Sequence, residues 1–398
     1  MDFILPKNVK YVIDKLGQGG YRADVVGGSV RDILLGKEPD DYDITTNALP
    51  EQTKFVFSAD RTVDTGIKHG TVSIILDGSP YEVTTYRIDG DYKDSRHPES
   101  VSFTTDIEKD LARRDFTVNA MAFSPEFGLT DPFGGRRDLE GKIIRAVGDP
   151  ALRFGEDALR ILRALRFSAT LGFDIEENTA AALRDKKHLL KNVSAERIYT
   201  ELRKMISAPY AYSVVDGYSD VILAVIPSLD RILLPREELF VNADYVCRLL
   251  SVFYLSSADP TGAFYDACTA LRTDSHIRDI GLRALSAVGR YDLLDEISLC
   301  LLLRDFGIEV ASCLVGLEVL LGNVDKKSVP LLQKVIDSGA CYRLSDLAVG
   351  GEDMKSIGIS GKDIGNTLNE LLTAVIDRRL PNEREELIAL AKKINDKN

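Results

Sequence analysis

The spacing of apolar positions changes character along the chain. In the first 150 residues the apolar runs are short, β-branched or aromatic, and bounded by Gly, Asp or Pro. YRADVVGG, HGTVSIILDG, YEVTTYRI and VNAMAFSP are predicted to be strands on that pattern. From Glu156 onward Leu159, Leu162, Leu165 and Phe167 recur at helical spacing, as do the apolar positions of AERIYTELRKMI and TLNELLTAVI. Pro209, Pro227 and Pro235 punctuate one predicted joint, and GISGKDIG from Gly358 marks another. There is no internal repeat at a fixed period and no low-complexity tract. The pattern predicts an α+β head followed by an all-helical body.

Composition narrows the class. With 398 residues, 44% apolar and 28% charged, the chain is too long for one compact core, and two to four domains are expected. The N-terminal stretch MDFILPKNVKYVIDKLG mixes charges into its first turns, which argues against a signal peptide. No run approaches the roughly 20 apolar residues a membrane span needs. The five cysteines, Cys247, Cys268, Cys300, Cys313 and Cys341, never form a C-x-x-C pair. They read as buried free thiols in a reducing cytoplasm. A net charge of −12 argues against a nucleic-acid partner in bulk, but residues 151–210 carry eleven Lys or Arg against eight Asp or Glu. A local basic face on an acidic protein is compatible with RNA binding.

The chemistry concentrates in VVGGSVRDILLGKEPDDYDIT. An apolar strand ends at Gly27-Gly28, a helix is expected from Ser29 with Ser29 as its cap, and Asp41-x-Asp43 follows. The glycines allow a phosphate close to the backbone, and the helix start favours an anion. On a strand, Asp41 and Asp43 point to one side. Two carboxylates on one side suit Mg²⁺ that also holds substrate phosphates. Glu82, in the strand-like YEVTT, is a third acid that could complete a two-metal site for in-line phosphoryl transfer. Taken singly, GG is a turn, DDYD a solvated loop and Glu82 an edge residue. Their order is the informative part.

That order resembles the signature of the DNA polymerase β-like nucleotidyltransferases. No P-loop and no G-x-G-x-x-G is present. Within the superfamily the chain is similar to the class II tRNA nucleotidyltransferases of the bacterial, CCA-adding type. Five further blocks carry the likeness in the family's order: YRIDGDYKDSRHPESVSF, RRDFTVNAMA, DPFGGRRDLEGKIIRAVGDP, FGEDALRILRALRF and SAERIYTEL. The resemblance implies a polymerase β-like head with a mixed sheet (residues 1–148), then an extended all-α neck (149–208), body (209–335) and tail (336–398), the last two clasping tRNA. LAVGGEDMKSIGISGKDIGNTLNELL looks like the family's tail.

The resemblance assigns Asp41, Asp43 and Glu82 to catalysis, with Mg²⁺ on Asp41 and Asp43, and Gly28 and Arg31 beside the phosphates. Arg114 suits bidentate phosphate contact, and Asp115 and Asn119 suit ribose hydroxyls. In EDALRILRALRF, Asp157 and Arg160 are expected on one face of a helix. A carboxylate accepts from an exocyclic amino group and a guanidinium donates to a ring acceptor. Cytosine and adenine both offer that pair of groups, whereas uracil and guanine offer a carbonyl instead. Arg163 and Arg166 continue the spacing and are assigned by resemblance to the nucleotide. An ion-paired solvated helix is the plain alternative. The polar tract from Asp89 to Phe103 (Gly90, Asp91, Asp94, Arg96, Pro98) is expected to be mobile, and the resemblance implies that its presence favours full CCA addition.

The expected reaction joins the 3′ end of tRNA to CTP or ATP and releases pyrophosphate in the cytoplasm. A bacterial poly(A) polymerase, a partial CC- or A-adding enzyme and a non-catalytic RNA-binding protein are the rivals. His69, His97, His188 and His276 form no His-Asp pair, so no HD-type phosphohydrolase module is expected, and His69 reads as a turn.

Overall fold

A computed structural model describes residues 3–90 and 101–396. Most of the expected mobile tract, including Asp91, Asp94, Arg96, His97 and Pro98, therefore lies outside the described residues. The chain divides into two compact units, Met1–Val225 and Ile226–Asn398.

The first unit opens with α1 (Lys7–Gln18) and is built on a seven-stranded mixed sheet in the order β3-β4-β5-β2-β1-β8-β9. The strands are β1 (Ala23–Val26), β2 (Asp43–Thr46), β3 (Arg61–Gly66), β4 (Thr71–Leu76), β5 (Ser79–Thr85), β8 (Ala122–Ser124) and β9 (Gly128–Thr130). A separate ribbon pairs β6 (Arg87–Asp89) with β7 (Val101–Phe103). Every residue of β1 is buried, as a strand flanked by β2 and β8 demands. Its Asp24 is a buried charge, stabilised by Arg22 (Nε 2.9 Å, Nη2 2.8 Å) and by the Tyr86 hydroxyl at 2.7 Å. Buried carboxylates persist only when paired in this way.

Helices α2 (Gly28–Leu34), α3 (Pro50–Val56), α4 (Ile107–Ala112) and α5 (Gly135–Glu140) belong to the sheet-bearing part. Val26, Tyr86, Ile107, Leu111 and Ala122 form one core cluster with Phe133 packed against it. Then come α6 (Pro150–Glu156), α7 (Leu159–Leu171), α8 (Glu177–Lys186), α9 (Ala195–Ser207), α10 (Ala211–Gly217) and α11 (Ser219–Ile222). The helical reading of this part overlooked one parallel pair, β10 (Ile143–Ile144) with β11 (Asp174–Ile175). Two residues per strand is too short for any periodic signal.

DPFGG shows why one glycine is needed. Asp131 accepts from the N–H of Gly135 (2.7 Å) and Arg136 (3.0 Å), which starts α5. A Cβ at Gly135 would stand 2.2 Å from the Thr117 carbonyl oxygen and 2.9 Å from Met121 Cγ. The turn Thr117–Asn119, which carries Asn119, thus rests on α5, and Thr117 Oγ1 donates to Asp138 at 2.7 Å. Gly135→Ala is expected to cost at least about 1–3 kcal/mol through overpacking. Gly155, with nothing within 4 Å of its Cβ position, should accept alanine without loss. Thermal melts of the two variants check the contrast, and equal melting points would refute it.

The second unit is helical: α12 (Glu237–Phe240), α13 (Tyr245–Ser256), α14 (Pro260–Leu271), α15 (Ser275–Ala287), α16 (Glu296–Leu321), α17 (Ser328–Asp337), α18 (Gly351–Ser356), α19 (Lys362–Ile376) and α20 (Arg384–Asn395). Asp244, Asp259, Asp274 and Asp295 cap α13 to α16 in turn through their carboxylates, satisfying amides that the first helical turn leaves unpaired. The five cysteines are free, four of them buried and Cys341 partly so. Among the described residues no helix is long and apolar enough to cross a membrane.

Candidate active site

Strand register brings the acids to the glycine turn. Val26, the last residue of β1, pairs with Asp43, the first of β2. The next residue, Gly27, has φ 76° and ψ −129°, a conformation side chains resist. A Cβ there would also lie 3.0 Å from Arg114 Nη1. Gly27 therefore turns the chain into α2 and admits Arg114 against it. The expectation that Ser29 caps this helix is corrected: Gly27 occupies the cap position with no side-chain bond, and the Ser29 hydroxyl instead donates to the Val26 carbonyl at 3.1 Å.

Asp41 precedes β2 and Asp43 begins it, both exposed. Among the described residues neither carries a side-chain hydrogen bond or ion pair. Partial burial pushes the Asp43 carboxyl pKa above the usual aspartate value; Arg114 opposes the shift and the charge of Asp41 adds to it. β5 runs parallel to β2 with Val83 opposite Ile44, so one further step of register sets Glu82 abreast of Asp43. Glu82 is exposed. Among the described residues no three His, Cys, Asp or Glu side chains gather closely enough to hold a metal by themselves. The site presents two unpaired hard-oxygen ligands with Glu82 on the neighbouring strand. That donor set fits a divalent ion that takes its remaining ligands from water and substrate phosphate.

Arg114 lies beside them. Its Nη2 is 3.6 Å from Asp110, while its Nε is buried with no hydrogen-bond partner among the described residues. Burial lowers the guanidinium pKa, and Asp110 opposes that shift. A buried N–H without an acceptor is costly, and here it belongs to a cation next to two carboxylates.

Four of the other nucleotide-binding candidates form one connected chain of bonds, and Arg166 has a partner outside it. Arg31 Nη1 donates to Asn119 Oδ1 at 2.7 Å, Asn119 Nδ2 donates to Asp115 at 3.2 Å, and Arg163 Nε donates to Asp115 at 2.8 Å. Burial pushes the Asp115 carboxyl up, but Arg163 outweighs it and holds the group below the usual aspartate value. Arg166 Nε donates to Glu201 at 2.5 Å.

EDALRILRALRF is not one helix. α6 ends at Glu156, and Asp157 takes φ −136° and ψ 102° before α7 begins. The expectation of Asp157 and Arg160 on one helix face is corrected accordingly. Asp157 stands at the joint and caps α7, accepting from the Leu159 N–H at 3.1 Å. Asp is a strong capping residue, so the local bond beats helix continuation. Asp157 also pairs with Arg197 at 2.9 Å. Arg160, nearly buried, donates to Glu156 (2.7 Å) and to the carbonyls of Arg153 (3.2 Å) and Arg113 (2.9 Å). Sequence reading missed Arg197 and Glu201 as partners, although their i, i+4 spacing in SAERIYTEL places them on one face of α9.

Comparison with known proteins gives concordant results. The chain matches the family model "Poly A polymerase head domain" over residues 23–145 and "Probable RNA and SrmB- binding site of polymerase A" over 172–229. It is 36% identical to a CCA-adding enzyme of Streptococcus gordonii over 394 residues, 96% of each chain. It is 51% identical to that of Streptococcus mutans over 199 residues, 50% of this chain and 49% of the relative. A crystal structure of the Bacillus stearothermophilus CCA-adding enzyme in complex with CTP is similar with a TM-score of 0.79 and 29% identity, covering 99% of both chains. The Thermotoga maritima CCA-adding enzyme complexed with tRNA shares the fold, with a TM-score of 0.71 at 23% identity and coverage of 98% of this chain and 95% of that one.

Proposed function

The chain belongs to the class II CCA-adding enzymes of the bacterial type, and from that premise we propose how its own residues carry the activity. It is a tRNA nucleotidyltransferase that adds C, C and A, without a template, to the 3′ end of tRNA from CTP and ATP. Pyrophosphate is released. The family depends on a divalent metal.

We assign that metal as Mg²⁺, held by Asp41 and Asp43 with Glu82 abreast. The observation that carries this site is the pair of unpartnered carboxylates beside the buried, unsatisfied Nε of Arg114. When bound, the ion would supply charge neutralisation at the phosphates and a lowered pKa for the attacking hydroxyl. The 3′-oxygen of tRNA forms a bond to the α-phosphorus, and the bond from that phosphorus to the β-phosphate bridging oxygen breaks. The Gly28 backbone and Arg31 flank the phosphates. Arg114 donates to a non-bridging oxygen, which satisfies its orphan N–H. Asp115 and Asn119 face the ribose, Asp157 and Arg160 read the base, and Arg163 and Arg166 support the nucleotide.

Residues 1–148 are proposed as head, 149–208 as neck, 209–335 as body and 336–398 as tail. The confinement of every named strand but β11 to residues before 145 supports the first boundary. The cut between Val225 and Ile226 draws α10 and α11 toward the neck. The body and tail would clasp the tRNA elbow and acceptor stem, in the cytoplasm.

The test uses purified protein with Mg²⁺ and tRNA transcripts ending before CCA, after C and after CC, with CTP and ATP supplied singly and together. Growth that stops after CCA is expected. Long A tails would indicate a poly(A) polymerase, and inactivity on all three transcripts would overturn the reading.

A further inference from the structure

One aromatic ring gathers three of the site's cations. The guanidinium carbon of Arg166 lies 4.0 Å from the centroid of Phe167, and those of Arg31 and Arg163 each lie 5.3 Å from it. Arg31 comes from α2 and the other two from α7. Phe167 is buried and meets Phe116 edge-on, with centroids 5.8 Å apart.

Such a gathering needs explanation in a chain of net charge −12, because like charges this close repel in a partly dry environment. Each arginine also has a polar partner: Asp32 and Asn119 for Arg31, Asp115 for Arg163, Glu201 for Arg166. The ring supplies the other half of the holding. Its negative face attracts a cation within about 6 Å, and it is the one group the three arginines share. Arg166 uses Nε on Glu201, Arg163 uses Nε and Nη2 on Asp115, and Arg163 keeps 33% of its side-chain surface exposed. A rigid ring thus fixes the planes of three guanidiniums whose remaining N–H groups can serve an anion.

We infer that Phe167 is a positioning residue that organises Arg31, Arg163 and Arg166 into a receptor for the triphosphate of the incoming nucleotide. The inference rests on the nucleotidyltransferase reading above. The triphosphate is common to CTP and ATP, so the ring contributes equally to both and has no part in choosing the base. A residue that only filled core volume would affect melting temperature and not nucleotide affinity.

The experiment compares wild type with Phe167→Leu, which keeps apolar bulk without a π face, and Phe167→Tyr, which keeps the ring. Phe167→Met stands in if the leucine variant fails to fold. Binding of CTP and of ATP is titrated without tRNA, so that the result does not depend on turnover, and KM and kcat are then measured with tRNA. Phe167→Leu is expected to weaken CTP and ATP binding and raise both KM values by a common factor of roughly tenfold. Its kcat should stay within about threefold and its KM for tRNA should not change. Phe167→Tyr should match wild type. Unchanged nucleotide affinity in Phe167→Leu, an effect confined to tRNA, or an equal loss in Phe167→Tyr would overturn the inference. A wild type that binds both nucleotides yet extends no tRNA would instead count against the functional reading.

Discussion

Asp43→Asn is expected to lower CCA addition by at least about a thousandfold while leaving the protein folded and able to retain tRNA. The substitution is nearly isosteric, so it removes charge without removing volume. Asp43 is the carboxylate that the β1–β2 register sets beside the glycine turn, and like Asp41 it makes no side-chain hydrogen bond or ion pair among the described residues. Losing one of two charged oxygen ligands leaves a neutral amide oxygen, a poor ligand for a hard divalent ion. Stability should not suffer, because among the described residues Asp43 has no ion pair to lose, and burial together with the charge of Asp41 outweighs Arg114 in disfavouring its charged form. The melting temperature is therefore expected to match or slightly exceed that of wild type. Primer extension, thermal melts and tRNA gel shifts on one preparation read all three. A rate within tenfold of wild type would place the metal elsewhere. Glu82→Gln in the same assay tells whether the acid abreast of Asp43 shares the ion, since a bystander on β5 should leave the rate near wild type.

Where the sequence carries a local rule, the site was legible. Gly27-Gly28 announced a turn, and the structure supplies two reasons for glycine at Gly27, a positive φ and the approach of Arg114. β1, β4 and β5 followed from β-branched runs, and the helical period gave α9 and α19. The joint around Pro227 sits next to the cut between the two units. What was not legible is long-range or competitive. Nothing along the chain says that β5 will lie parallel to β2, which is what brings Glu82 abreast of Asp43. Helical periodicity ran straight through Asp157, because the apolar spacing is blind to a carboxylate that prefers capping to continuing. Arg197 and Glu201 were given no role in SAERIYTEL, yet each ties down a residue of α7 or its cap. Partnerships across elements decide these roles, and they are written in the fold.

Asp157 supports the second large prediction, because its two duties can be separated. It caps α7 through the Leu159 N–H and, in our reading, accepts from the amino group of cytosine or adenine. Alanine would lose both, and the cap alone is worth about 1 kcal/mol, so a defect in Asp157→Ala would be ambiguous. Asparagine caps as well as aspartate but changes the reading. Its amide oxygen still accepts from an amino group, while its NH₂ can donate to the carbonyl that uracil presents in the same place. Asp157→Asn is therefore expected to melt like wild type and to raise incorporation of UTP relative to CTP by about ten- to a hundredfold, the scale of one lost base-edge discrimination. In wild type Oδ1 holds the cap and Oδ2 takes Arg197, so an amide oxygen kept on the cap puts the NH₂ in the place of Oδ2, where it loses Arg197 and is left for the base. The measurement is kcat/KM for CTP, ATP and UTP on tRNA ending before CCA. Unchanged selectivity in a folded Asp157→Asn protein would remove Asp157 from base reading and leave it as a cap.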